Sequence, residues 1–336
     1  MTRKIGQAEI AAAAGVSVST VSRVLAGAPG ISDRVRNSVR GVAENLGYPV
    51  ALAPEPVPLT RAIAYLADGH GTSVAPAYQP VLEGLREAAQ DAGIRLAIAL
   101  RERSGELPGH IFDDPSVGTF LIGVDPSESA IDRIAAAGTP TVLVNGLDPD
   151  QQVDAVAPAN FFGGRLVARH LAENGHRKLL HVVWRQRWTL RRRASGVASG
   201  AAEFSTPDAP LEIEVLDLPS LDEIDVFTAL ENRLSNGAID FTAVVCSNDV
   251  GAICVLQALK ARGIQVPEQI SVVGFDDVPV AALSDPPLTT IRVDWKMLGH
   301  EAMHLMIQRS RYPERSAVQV QTKVQLVARD TVRRLS

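Results

Sequence analysis

"KIGQAEIAAAAGVSVSTVSRVLAGAPGISDRVRNSVRGVAENLGY", residues 4–48, divides into three short helical patterns, punctuated by Gly15, by "AGAPG" at 26–30 and by Gly47. Ile10, Val16, Val21, Val24, Leu25, Val35, Val39 and Leu46 recur at helical spacing, so three helices share one small core. Ser17 stands where its hydroxyl can cap a helix running from Val18 to Ala26, and Ser32 does the same for a helix from Asp33 to Leu46. A helix, a tight glycine turn and a second helix make the helix-turn-helix plan. The polar face of the second helix then carries Ser19, Thr20, Ser22 and Arg23.

Charge is spread unevenly around this head. Residues 1–50 hold six Lys and Arg against three Asp and Glu, whereas the whole chain of 336 residues carries a net charge of −5. A small basic segment on an acidic body is the footprint of a nucleic-acid-binding head joined to another module. With 46% hydrophobic and 21% charged residues, the chain can bury two or three packed units and falls outside the disordered and membrane classes. Its two cysteines, Cys246 and Cys254, have neither a Cys-x-x-Cys spacing nor a disulfide framework around them, which fits a reducing compartment. The alanine-rich run near the N-terminus is too short and too weakly apolar for a secretory signal, so neither export nor a membrane anchor is expected.

"AGVSVSTVSRVL" (14–25), followed by "GYP" (47–49), resembles the DNA-binding head of the lac repressor/galactose repressor family of bacterial transcription regulators. The resemblance places Val18, Ser19 and Arg23 among side chains that read base edges in the major groove. An arginine can pair with guanine, a serine with either kind of edge, and a valine can pack on a thymine methyl. Ser17, Thr20 and Ser22 are then expected at phosphates, which set register without reading sequence. The plainer reading has these residues solvating a surface helix. The family's short hinge helix is expected after Tyr48, but Pro54, Pro56 and Pro58 exclude a regular helix there. An extended linker over 49–60 is expected instead, leaving open whether Leu52 or Val57 reaches the minor groove.

From residue 61 the pattern turns to short apolar runs separated by amphipathic stretches. "AIAYLA" (62–67), "RLAIAL" (95–100), "TFLIGV" (119–124), "TVLVNG" (141–146), "LLHVVW" (179–184), "EIEVLDL" (212–218), "AVVCSN" (243–248) and "SVVGFD" (271–276) read as strands of parallel sheets covered by helices. No dinucleotide or nucleoside-triphosphate fingerprint follows any of them. The run 247–292, "SNDVGAICVLQALKARGIQVPEQISVVGFDDVPVAALSDPPLTTIR", resembles the effector-binding core of the same family, a two-lobed body like that of periplasmic sugar-binding proteins.

By that resemblance Arg193, Asn248 and Asp276 hold effector hydroxyls or charges, Asn145 ends a strand at the cleft, and Tyr78 and Phe161 or Phe162 supply aromatic walls. Each has a plainer alternative: helix caps and Asx turns for Asn248 and Asp276, core packing for the aromatics. Many family members carry an aspartate where this chain has Asn145, and Arg191 and Arg192 add positive charge beside Arg193. That balance favours an anionic or phosphorylated effector over a neutral sugar; arginines facing water are the other reading.

"HEAMH" (300–304) matches the H-E-x-x-H pattern of zinc peptidases. Leu298, Ala302, Leu305 and Met306 form the apolar stripe of that helix, however, and the histidines fall on the opposite, solvated side with no third ligand in sight. Neither a metal nor a cofactor is expected, nor enzymatic activity.

The expected architecture is an all-α helix-turn-helix head (1–48), a Pro-rich linker (49–60) and an α/β two-lobed, periplasmic-binding-protein-like body with parallel sheets for effector binding and dimerisation (61–336). The expected function is a cytoplasmic, nucleoid-associated repressor that binds double-stranded operator DNA as a homodimer under a small polar effector, a sugar or sugar derivative. The alternative is a cytoplasmic small-molecule sensor with weak or no DNA binding.

Overall fold

The computed structural model describes residues 6–25, 30–48, 59–67, 75–101, 107–219, 223–236 and 239–335. The head comprises α1 (Gln7–Ala14), α2 (Val18–Leu25) and α3 (Asp33–Asn45). Helices α1 and α2 meet at 107°, within the range of a helix-turn-helix. Gly15 makes the turn between them at φ 66°, a left-handed conformation that a side chain would oppose. All eight apolar positions of the helical pattern enter one cluster, with Ile10, Val21, Val24 and Val39 fully enclosed. The Ser17 hydroxyl accepts from the Thr20 amide at 3.1 Å, as a cap should. Ser32 occupies the corresponding position before α3, but its hydroxyl accepts no capping bond, and the helix stops at Asn45 rather than Leu46. The prolines of the expected linker and the end of α2 beyond Leu25 lie outside the described residues.

The body begins with β1 (Arg61–Ala67), α4 (Ala75–Asp91), β2 (Arg95–Arg101), α5 (His110–Asp113), β3 (Val117–Ile122), α6 (Glu128–Ala137), β4 (Thr141–Val144) and β5 (Asp154–Pro158). The chain then enters α7 (Asn160–Glu173), β6 (Lys178–Val183), α8 (Trp188–Phe204), β7 (Glu212–Asp217), α9 (Glu223–Asn236), β8 (Ala243–Cys246), α10 (Asp249–Ala261), β9 (Ser271–Val273) and α11 (Pro279–Leu283). It closes with β10 (Thr290–Val293), α12 (Trp295–Arg311), β11 (Gln319–Thr322) and β12 (Val324–Val327).

Among the described residues the strands form two parallel sheets, one of six strands in the order β11-β5-β4-β3-β1-β2 and one of four in the order β7-β6-β8-β9. All eight apolar runs are strands. Their inner positions, such as Phe120, Leu143, Leu180 and Val244, are fully buried, as strands covered on both faces require. The sequence pattern missed β5, β10, β11 and β12. β10 leads the chain from the lobe of the four-stranded sheet to that of the six-stranded sheet, which β11 joins, and β12 leads it back, pairing antiparallel with β10 as a ribbon between the lobes. No single helix among the described residues is long and apolar enough to cross a membrane.

Two helix pairs approach unusually closely, and glycines permit it. A Cβ on Gly196 of α8 would fall on the carbonyl oxygen of Phe161 in α7, and one on Gly164 would fall on that of Arg193. In the first lobe, Gly84 of α4 and Gly299 of α12 stand in the same relation to Lys296 and Val81. Backbone meets backbone, so no side-chain rearrangement relieves an added methyl. Gly196→Ala is expected to cost about 2 kcal/mol or more through overpacking, and to shift Phe161 and Arg193 together; a urea denaturation midpoint unchanged from wild type would count against this.

The helix carrying "HEAMH" is α12, which packs on α4 and on strands β3 to β5 and buries Leu298, Ala302, Met303, Leu305 and Met306. Met303 is buried beside the expected stripe, whereas His304 is exposed and His300 lies 3.2 Å from Glu87. His300 thus joins α12 to α4 at the surface, and His304 faces solvent.

Candidate functional site

The first site is the outer face of α2. Ser17, Val18, Ser19, Ser22 and Arg23 are exposed, and Thr20 is half-buried. Val18 keeps 48% of its surface exposed at the first turn, while Val21 and Val24 on the other side hold the helix to the core. The Ser17 hydroxyl lies 2.8 Å from both Ser19 Oγ and Thr20 Oγ1, so the first turn is tied into one hydroxyl cluster in addition to its cap. The helix thus offers a short apolar side chain, hydroxyls and a guanidinium on a rigid, solvent-facing first two turns.

The second site lies where the carboxyl ends of both sheets face each other, the place where ligands sit in parallel α/β folds. Tyr78 comes from α4, with its ring edge-on to Trp295 at 6.1 Å. Its hydroxyl accepts from Asn145 Nδ2 at 3.0 Å and from Arg187 Nη1 at 3.0 Å. Asn145 follows β4 at φ 50°, a left-handed conformation that Asn tolerates better than most residues. Arg187, just before α8, reaches from the second lobe to the first, donating also to the Asn145 carbonyl and lying 3.5 Å from Asp125. Asp125 in turn accepts from the Trp188 amide at 2.9 Å, which anchors the start of α8.

Arg193 lies one and a half turns further along α8, buried among groups of its own lobe. Nε donates to Asn160 Oδ1 and Nη1 to the Ser247 carbonyl, both at 2.8 Å. Its Nη2 is 2.9 Å from Asp276 Oδ1, and its plane covers the Phe275 ring at 3.8 Å. Asp276 sits at φ 116°, strained backbone of the kind that gathers at functional sites. Burial pushes its carboxyl above the usual carboxylate range, and the Arg193 guanidinium offsets part of that. Behind it, burial and the neighbouring Asp276 push Asp249 well above that range. Asp249 accepts from the Val278 amide and from the Thr290 hydroxyl.

Of the residues expected at the effector, Tyr78 and Asn145 therefore touch each other, and Arg193 and Asp276 form an ion pair. Asn248 adjoins Ser247 at the start of α10, where its side-chain oxygen caps the helix through the Gly251 amide at 2.8 Å, as the plainer reading had it. Phe161 stands at the mouth, half-buried, beside a recess that Asn160, Thr189, Arg192 and Gly146 also line. Phe162 is 56% exposed, packing edge-on against Phe161. Arg192 stacks on Phe161 and Arg191 on Trp188, so neither extra arginine reaches the interior of the cleft.

Three participants escaped the sequence reading: Arg187, Asp125 and Trp295. Asp125 had a usable signal, a carboxylate directly after the apolar run 119–124. Trp295 donates from Nε1 to the Asp276 carbonyl at 3.2 Å, a contact that joins α12 of the first lobe to the second.

Comparison with known proteins finds a family match in the head and another in the body. Residues 8–49 match the family described as bacterial regulatory proteins, lacI family, and residues 168–332 match a periplasmic binding protein-like domain. The chain is 31% identical to an uncharacterized HTH-type transcriptional regulator in the aml 5' region of Streptomyces limosus, covering 85% of this chain and 82% of that one. It is 29% identical to the HTH-type transcriptional regulator MalR of Streptomyces coelicolor, over 90% of this chain and 89% of the relative. Among solved structures, the transcriptional regulator CelR-cellobiose complex superimposes with a TM-score of 0.69 at 26% identity, covering 97% of this chain and 99% of that chain.

Proposed function

The chain belongs to the lacI family of bacterial regulatory proteins and is a helix-turn-helix transcriptional regulator, and we propose that it is a cytoplasmic, nucleoid-associated homodimeric repressor switched by a sugar or sugar derivative held between its lobes. The observation that carries this reading is the face of α2, which keeps Val18, Ser19, Ser22 and Arg23 outside the head's core while Val21 and Val24 fix the helix in place. In the proposed complex Arg23 pairs with a guanine edge, Ser19 with a neighbouring base, and Val18 packs on a thymine methyl. Ser17, Thr20 and Ser22 hold phosphates and set the register.

For the dimer, the support is apolar surface on the body. Edge strand β2 exposes Ile98 and Leu100, at 55% and 76%, and Leu283 at the end of α11 is 82% exposed. Two bodies joined there carry two heads to the half-sites of a near-palindromic operator. For the effector, the support is the cleft: Tyr78 and Asn145 from one lobe, Arg193, Asn248 and Asp276 from the other, and Phe161 at the mouth. A ligand that contacts both lobes favours one lobe arrangement over another, and only that difference in affinity can drive a switch. The similarity to a regulator solved with cellobiose supports a sugar class.

Selection of bound duplexes from a random pool by the purified chain tests the proposal. A near-palindromic site is expected, and Arg23→Ala should weaken its binding by about 1–3 kcal/mol and relax one position in each half-site. Uniform weakening across all sequences would move Arg23 to a phosphate. Failure of the intact chain to enrich any site, with or without a sugar mixture, would favour a sensor that does not bind DNA.

A further inference from the structure

The two buried arginines of the cleft are satisfied very differently. Arg193 has an acceptor at Nε, one at Nη1 and a carboxylate at 2.9 Å from Nη2. Arg187 has a phenol hydroxyl and a backbone carbonyl on its two terminal nitrogens, its nearest carboxylate at 3.5 Å, and no partner at Nε, although that atom is buried. Other buried atoms close by lack hydrogen-bond partners too: Asn145 Oδ1, Thr189 Oγ1, and Asp125 Oδ1 and Asp276 Oδ1, which face Arg187 and Arg193 as ion pairs. Thr189 also lines the recess at the mouth of the cleft, together with Gly146, which follows Asn145. A buried guanidinium short of acceptors is costly, and so is a buried hydroxyl or amide oxygen with no partner. The arrangement is that of a polar site awaiting a ligand, with Arg187 as its least satisfied charge.

The charge around it points the same way. Arg187 and Arg193 lie buried in the cleft against Asp125 and Asp276, and Arg192 lines the recess at its mouth. One guanidinium is in excess. A planar guanidinium with a free Nε edge suits a carboxylate or phosphate, whose oxygens bridge two of its nitrogens. The acceptor Asn145 Oδ1 and the hydroxyl of Thr189 suit ligand hydroxyl groups beside that acid.

Building on the effector reading above, we propose that Arg187 is the residue that determines effector class, selecting a polyhydroxylated ligand with one acidic group, a sugar acid or a sugar phosphate, over a neutral sugar. The acid takes up the Nε edge of Arg187 from the recess side, while Tyr78 and Asn145 keep the other edge in place. Because Arg187 belongs to the second lobe and its partners to the first, the same contact tightens the junction of the lobes.

The test is calorimetric titration of the full chain with three matched sets: hexuronic and aldonic acids, hexose 6-phosphates, and the corresponding neutral hexoses and disaccharides. At least one acidic ligand should bind no less than tenfold more tightly than its neutral counterpart. Arg187→Gln, which keeps a donor for Tyr78, should weaken the acid at least tenfold more than its neutral counterpart and so remove that preference. Thr189→Val, which deletes one hydroxyl at constant volume, should weaken the acid several-fold in a protein that folds normally. The set that responds separates carboxylate from phosphate. A neutral sugar bound as tightly as its acid, or an acid preference that survives Arg187→Gln, overturns the assignment while leaving a sugar-controlled regulator standing. Silence from all three sets overturns the sugar-effector reading, and this assignment with it.

Discussion

Arg193→Ala should lower the stability of the body by about 3–5 kcal/mol, the cost of leaving a buried charge without its partner. The side chain donates to Asn160 and to the Ser247 carbonyl, pairs with Asp276 and covers Phe275, so its removal orphans three acceptors and opens a gap over a ring. The deficit should also depend on pH in a definite sense. In the wild type, burial raises the Asp276 pKa, and Arg193 and, more weakly, Arg187 oppose the rise; without Arg193 only the pull of Arg187 still opposes it. A carboxyl whose folded pKa lies above its unfolded one contributes stability that is present below the unfolded pKa and lost as pH rises through the folded pKa. The gap between wild type and variant should therefore widen as pH rises through the carboxyl's raised range, by up to about 1.4 kcal/mol per pH unit. Urea denaturation at pH 5 and pH 8 reads both quantities; a deficit below about 1 kcal/mol, or one identical at the two pH values, would show that Arg193 is held more by packing than by charge. The same variant should lose effector binding whatever the class of ligand, which separates it from Arg187→Gln.

That Arg193 stood out in the sequence while Arg187 did not has a physical reason. "RQRWTLRRR" (185–193) offers five guanidiniums within nine residues, and nothing local says which turns inward. The choice is made by Asp125, more than sixty residues earlier, whose carboxylate takes the Trp188 amide and so sets where the helix begins. Strands were legible wherever a run was buried on both faces, as at "TFLIGV" or "AVVCSN", because burial demands continuous apolar side chains. Strands β11 and β12 read "QVQT" and "VQLV", with little burial beyond Val324, and their pairing is decided by distant partners in β5 and β10. The head was the most readable part, since turn glycine, cap serine and helical spacing all act within about forty residues. The cleft was readable as a list of polar residues at strand ends, but the division into a satisfied arginine and an unsatisfied one exists only after the lobes come together.

Acid should destabilise the second lobe before its ordinary carboxylates protonate. His181 lies in the middle of β6 between Val215 of β7 and Val245 of β8, 4% exposed, and burial pulls its pKa down to about 3 with a smaller push from Arg185. His176 is fully buried, bonded to the Thr242 hydroxyl at 2.8 Å and the Arg333 carbonyl at 3.1 Å, and burial brings it down to about 4 despite that carbonyl. Both are neutral in the folded protein between about pH 4.5 and 6.5, where an unfolded histidine, with its ordinary pKa near 6.5, already takes a proton. The unfolded state thus binds more protons as pH falls below about 6.5, and folding stability declines with it at about 1.4 kcal/mol per pH unit for each histidine until the folded pKa is reached. From pH 6.5 to pH 4.5 the two together should remove about 5 kcal/mol, a large part of the 5–15 kcal/mol that holds an ordinary domain together. Ordinary carboxylates change little between about pH 4.5 and 6.5, but the raised carboxyls of Asp276 and Asp249 gain stability as pH falls and offset part of the loss, so the histidine contribution is read as the difference between wild type and a histidine variant. Urea midpoints across that window should fall steadily in the wild type and about half as steeply in His181→Leu, which fills the site without a titratable group. Parallel slopes would mean that the lobe loosens enough in mild acid to hydrate His181, and the β6 interior would then be softer than its burial implies.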